Sequence, residues 1–219
     1  MPEFAGKVVS NALISLRFPE GGKLNFLKCH PGQIVKRGDL LASLDPKPVQ
    51  TQLDIELADF RRVRAEFDQL TRQIPTAKTE DEKTKKGIAQ SKLDVSVKTV
   101  EKYKLQLDDL NLYSPADAVI IDSGGLIEGI NITPSGFPII LAPLDSAVFE
   151  CLVSEDNFYQ LQPNQKAKVS LKSGFSIDSE VIYLSPESTG NDNTFAVWFK
   201  LPRLDLANFR LGTSGKVSL

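Results

Sequence analysis

The chain is expected to be mostly β with one inserted α-helical hairpin: a flattened β-sandwich split by an antiparallel coiled coil, then a small β-barrel. Three observations predict this. Apolar residues recur at helical spacing in two arms between Pro46 and Leu112. The segments flanking those arms share one rhythm of strand, glycine turn, strand, glycine turn, strand. From Leu144 onward, short apolar runs alternate with turns rich in Asn, Gly and Pro.

The first arm is predicted over about Val49 to Gln73. Leu53, Phe60, Val63, Phe67, Leu70 and Ile74 recur three and four apart, with Leu57 alongside, which makes one apolar stripe on a helix. The second is predicted over about Thr79 to Leu110, where Ala89, Leu93, Val97, Val100, Tyr103, Leu107 and Leu110 repeat the spacing. Pro75 cannot continue the first helix. Thr79 followed by Glu82 is a capping box that starts the second. So short a turn forces the arms antiparallel, stripe on stripe. About 25 helical residues reach roughly 37 Å. A narrow stripe with charged outer faces favours a projecting coiled coil over two helices lying on a sheet.

Before the hairpin, residues 5–20 read as a leading β-segment, either a barrel strand or the remnant of a membrane-proximal domain. Strands follow at 24–29, 33–36 and 40–44, separated by turns at His30-Pro31-Gly32 and Gly38-Asp39. After it, Tyr113-Ser114-Pro115-Ala116 is a break, and strands are expected at 118–121, 126–132 and 138–141, with Pro134-Ser135-Gly136 as a turn. Gly32 and Gly38 correspond loosely to Gly129 and Gly136. Residues 21–45 and 113–143 are therefore two halves of one sandwich, since neither buries enough apolar surface alone. Residues 46–112 are the hairpin and 144–219 the barrel. Barrel strands are expected at 147–153, 167–171, 179–184, 194–201 and 215–219, with a helical turn at 155–161 and a polar turn at Ser188–Asn193.

Composition narrows the function classes. Of 219 residues, 41% are hydrophobic and 25% charged, and the net charge is −2, so no basic surplus drives nucleic-acid binding. Cys29 and Cys151 show neither disulfide-scaffold nor metal spacing and sit in apolar runs. No stretch approaches the length of a membrane span; Phe137–Val153 is broken by Pro143, Asp145 and Glu150. Met1-Pro2-Glu3-Phe4 resembles a cloning scar, so a targeting or membrane segment would lie upstream.

Four stretches together resemble the HlyD-type membrane fusion (periplasmic adaptor) family of bacterial exporters. Pro31-Gly32-Gln33-Ile34-Val35-Lys36-Arg37-Gly38-Asp39-Leu40-Leu41-Ala42-Ser43-Leu44-Asp45 is similar to that family's first lipoyl half-motif. Leu107 to Ile120, through Tyr113-Ser114-Pro115, resembles the return from hairpin to second half. Cys151 to Asp156 and Leu161 to Ala167 resemble the barrel's opening strand and short helix, and Arg210 to Val217 its closing strand. The likeness covers about residues 20 to 219. There are departures: Asn164 replaces a usual Gly, and the hairpin is short for a type I secretion adaptor. Of the Arg, Leu and Ser that pump adaptors carry near the tip, only Leu70 has a match, with Glu66 and Ala77 in the other two places.

Lys47 lies near the lysine that biotinyl or lipoyl carriers modify, but the carrier's tight hairpin is replaced by the helices and its Met-Lys-Met signature is absent. His30 is single and precedes Pro31 in a turn, which supplies neither a metal cluster nor a triad. Gly212-Thr213-Ser214-Gly215-Lys216 fails as a phosphate loop, because Arg210 and Val217 stand where Gly and a hydroxyl residue are needed. Asn131-Ile132-Thr133 is a glycosylation sequon only in a eukaryotic host.

The expectation is thus a non-enzymatic protein with no cofactor and no nucleic-acid partner. The resemblance implies a periplasmic location, anchored at the inner membrane through a segment absent from this sequence. It implies an inner-membrane transporter as partner, an outer-membrane channel or envelope partner beyond it, and a hexameric ring of copies. An alternative within the same fold is a periplasmic scaffold of an exopolysaccharide synthesis or secretion complex. Candidate partner-binding residues at the tip are Leu70, Gln73, Ile74, Thr76 and Lys78. Leu70 and Ile74 either close the hairpin end or meet a partner.

Overall fold

The computed structural model describes residues 3–134, 136–189 and 193–219. Met1, Pro2, Ser135 and residues 190–192 of the expected 188–193 turn lie outside the described residues, and Ser188 and Thr189 belong to β12. The order is β1 (Glu3–Ser10), β2 (Ile14–Leu16), β3 (Gly22–Leu27), β4 (Ile34–Val35), β5 (Leu40–Leu44), α1 (Lys47–Gln73), α2 (Glu80–Asp109) and β6 (Asn111–Tyr113). There follow β7 (Ala118–Asp122), β8 (Asn131–Ile132), β9 (Ile139–Pro143), a 3-10 turn (Leu144–Ser146), β10 (Ala147–Ser154), α3 (Glu155–Phe158), β11 (Lys166–Leu171), β12 (Ser176–Thr189), β13 (Thr194–Lys200) and β14 (Ser214–Ser218).

The segments on either side of the hairpin fold together by exchanging strands. One sheet runs β2-β9-β7-β4 and the other β6-β5-β3-β8. β4 comes from the leading half but pairs with β7, Val35 opposite Ala118. β8 comes from the trailing half but pairs with β3, Gly22 opposite Ile132. The glycine turns stitch the same seam. Gly32 and Gly38 have φ near +85° and +88°, and their N–H groups donate to the carbonyls of Ile120 and Ser114, each at 2.7 Å. Gly129, at φ 89°, donates back to Leu24 at 2.8 Å. A side chain at these positions would strain the backbone that makes the cross-half bond. Phe18, Leu24, Leu41, Leu44, Ile120, Ile139 and Leu141 are fully buried between the sheets, and this shared core is what neither half owns alone.

Three expectations are corrected. The strand expected over 126–132 is only Asn131–Ile132, because Gly125 and Gly129 take positive φ and the chain turns twice before β8. The break expected from Tyr113 begins one residue later, because Tyr113 ends a strand: it pairs with Leu40, Asn111 pairs with Ser43, and Leu112 is buried. The leading segment 5–20 is not one unit. β1 belongs to the barrel, whereas Ile14–Leu16 pairs with β9 and Phe18 enters the sandwich core.

The barrel closes in the order β1-β10-β13-β12-β11-β14. β1 fills the gap between β10 and β14, whose facing edges would otherwise be unpaired. Val8, Phe149, Cys151, Val153, Val169, Val197, Phe199 and Val217 alternate inward to fill it. Val119, Ala142 and Leu144 join the same core from the sandwich side, so the two β bodies meet through packed side chains.

Candidate functional site: the hairpin and its tip

The hairpin springs from between β5 and β6, neighbours in one sheet. Its base is fastened to the sandwich. Val49 and Leu107 pack on the sandwich core, Leu110 is buried, and the Leu44 N–H donates to Leu110 O at 2.9 Å. Asp45 Oδ1 accepts from the Lys47 N–H at 3.1 Å, which covers one free donor at the start of α1. Lys47 is therefore exposed at the first turn of a long helix, not on a tight hairpin.

Between the arms, Leu53, Val63 and Val100 are buried and Phe60, Phe67, Leu93 and Tyr103 half-buried, as the spacing predicts. The pattern missed Ser96, which is buried and returns its hydroxyl to Leu93 O at 2.8 Å. A small polar residue on the inner stripe carries no apolar signal, so only packing reveals it.

The tip is built from two helix ends. Ile74 caps α1 by donating its N–H to Leu70 O at 2.9 Å. Lys86 Nζ reaches back to Pro75 O at 3.0 Å. The capping box forms: Glu82 N–H donates to Thr79 Oγ1 at 3.3 Å, and Glu82 Oε2 accepts from the N–H groups of Thr79 at 3.1 Å and Lys78 at 2.6 Å. Those two N–H donors, Lys78 first, hold the Glu82 carboxyl below its ordinary range. Gln73, Thr76 and Lys78 are exposed. Leu70 and Ile74 are half-buried, and Leu70 lines an interhelical hollow with Phe67, Ile88 and Ala89. Closing the hairpin end thus accounts for part of both side chains and leaves the rest at the surface. Of the two tip departures, Glu66 is tied to Arg62 at 2.6 Å and Ala77 is half-buried.

A joint that the sequence did not signal lies at the other end of the sandwich. Asp117 Oδ1 accepts from the Arg37 N–H at 2.9 Å, and its Oδ2 meets Arg203 Nη2 at 2.5 Å. Arg203 also lies 3.8 Å from Asp145. The Arg37 N–H and then the Arg203 guanidinium hold the Asp117 carboxyl below its ordinary range. The partners are too far apart in the chain for any local pattern to pair them.

His30 is exposed in its turn, its N–H donating to Gln33 Oε1 at 3.2 Å. Cys29 and Cys151 are buried free thiols; burial pushes both up, Cys151 to about 12 with help from the Glu150 charge. Among the described residues, no three His, Cys, Asp or Glu side chains are grouped to hold a metal ion. No helix among them is long and apolar enough to cross a membrane.

No family model matches the chain. A 67-residue stretch is 43% identical to the multidrug resistance protein MdtA of Pectobacterium carotovorum subsp. carotovorum (strain PC1), covering 29% of this chain and 16% of that protein. The membrane fusion protein Spr0693 from Streptococcus pneumoniae R6 superposes over 100% of this chain and 98% of its own, with a TM-score of 0.78 at 14% identity. A MacA-MexA chimeric protein containing the Pseudomonas aeruginosa MexA α-hairpin domain superposes over 99% of this chain and 80% of its own, with a TM-score of 0.82 at 17% identity. Strand exchange across an inserted hairpin, a closed barrel beside it and these superpositions agree: the chain has the fold of the membrane fusion protein Spr0693 and of the MacA-MexA chimera.

Proposed function

We propose that the chain is the adaptor subunit of an exporter, working in the periplasm between an inner-membrane transporter and an outer-membrane or envelope partner. The observation that carries this is the hairpin itself. Its first arm has 27 residues, which at helical rise is about 40 Å. It is fastened only at its base, in the sandwich. A rod held at one end and capped at the other is a spacer, and its tip is where a distal partner would be met. The barrel, at the opposite side of the sandwich, is assigned to the transporter side. Six copies would stand side by side in a ring, with the sandwiches in contact. The transporter, the distal channel and the anchor belong to this proposal, as does the absence of enzymatic activity.

Export by the native system tests the tip. Leu70→Asp places a charge where a half-buried leucine closes the hairpin, and it should abolish export while circular dichroism and oligomeric state stay unchanged. Full export by a folded Leu70→Asp protein would remove the tip from the proposal.

A further inference from the structure

The hairpin has a second apolar stripe that its own partner helix does not cover. On α2, Thr84, Ile88, Ser91, Val95 and Thr99 recur three and four apart, about a third of a turn from the stripe that faces α1. Ile88 is 54% exposed and Val95 66%. On α1, Ile55, Asp59, Arg62 and Glu66 fall on the same side of the hairpin, and Ile55 is 55% exposed. Val63 lies between the two rows, lining a groove of about 730 Å³ that Gly87, Ser91 and Ser96 keep open through their small side chains. The opposite side of the hairpin carries Arg61, Arg64, Asp68, Lys83, Asp94 and Glu101, all exposed. Of the four large apolar side chains exposed on the two helices, Ile55, Ile88, Val95 and Leu105, three lie on this face.

We propose that this face is closed by the same face of a second copy, as a four-helix bundle with both tips pointing the same way. Two features choose that occupant. The first is self-complementarity. A head-to-tail contact would lay Ile88 and Val95 against the charged back of the neighbour, whereas face-to-face pairing buries them on each other. The second is charge. The α1 rim holds Glu56, Asp59 and Glu66 against Arg62, a net of −2; the α2 rim holds Lys85 and Lys92, a net of +2. A two-fold axis along the hairpin sets the acidic α1 rim of one copy over the basic α2 rim of the other, with every neighbouring helix antiparallel. A two-fold across the hairpin would stack like rims instead. The face is about 40 Å long and 20 Å wide, on the order of 800 Å² per copy, which is the size of a standard interface. Pairing of this kind closes after two copies, so it must open before any head-to-tail ring forms.

Sedimentation velocity of the full chain tests the pairing, and it is independent of export, so the adaptor reading and the pairing can fail separately. The chain should form a dimer at micromolar concentration. Val95→Glu should weaken it at least about tenfold, whereas Gln90→Glu, exposed on the back of α2 beside Asp94, should leave it intact. Lys92→Glu should weaken the dimer and Lys92→Glu with Glu66→Lys should restore it. Spin labels on Thr76→Cys should then lie within about 30 Å across the dimer, against roughly 45 Å if the hairpins were antiparallel. A chain that is monomeric throughout, equal loss in Val95→Glu and Gln90→Glu, or the long label distance overturns the proposal; the first reassigns the face to an unlike helix.

Discussion

Ile120→Ala tests whether the two halves of the sandwich are one unit. Ile120 is fully buried on β7, in the sheet that receives β4 from the other side of the hairpin. The substitution removes three carbons. At about 0.8 kcal/mol each, transfer alone accounts for about 2.4 kcal/mol. The β3–β5 and β7–β9 backbones are held by the cross-half bonds at Gly32, Gly38 and Gly129 and cannot collapse fully, so the residual cavity adds about 1 kcal/mol. A loss of about 3.5 kcal/mol should lower the melting temperature by roughly 10 °C in a chain of this size. Hydrogen exchange of the intact protein reads where that loss is felt. With one shared core, β3–β5 amides lose protection together with those of β7 and β9, although the mutation lies on the far side of the hairpin insertion. A loss below about 1 kcal/mol, or protection lost in β7 and β9 alone, would refute the shared core.

Two further predictions concern the barrel and the tip. Gly6→Ala puts a Cβ 2.2 Å from Glu150 O and 2.9 Å from the Phe149 ring, so β1 must separate from β10. A cost of at least about 2 kcal/mol is expected, with altered emission from Trp198, whose indole N–H donates to Glu150 at 3.0 Å; an unchanged unfolding midpoint would count against so close an approach. Thr79→Ala should cost the tip about 1 kcal/mol of local stability, read as faster exchange of the first α2 amides. The Glu82 carboxyl sits below its usual value of 4.5 in the folded protein, so its capping contribution is complete above pH 4.5 and is lost as pH falls through the lowered value. Glu82→Gln should remove that acid dependence from the exchange of the Lys78 and Thr79 amides, and a dependence that survives would place its origin elsewhere.

Local pattern was enough for the hairpin and for most strands. The three-and-four spacing from Leu53 to Leu70, Pro75 as a stop and the Thr79/Glu82 box each act within a few residues, and each appears in the structure where the chain put it. The tip was less legible. Apolar Leu70 and Ile74 look alike in sequence whether they close a hairpin or meet a partner, and their half-burial emerges only once the two helices are packed.

The amino-acid sequence by itself determined which residues form helices, where they start and stop, and which glycines must turn. Those choices depend on neighbours along the chain. Only the tertiary structure decided that β4 and β8 change sides, that Glu3–Ser10 closes the barrel while Ile14–Leu16 joins the sandwich, and that Asp117 meets Arg203. A two-residue strand carries too little pattern to name its partner. Its place is set by the edge that is free and the core that is unfilled when the rest of the chain has folded.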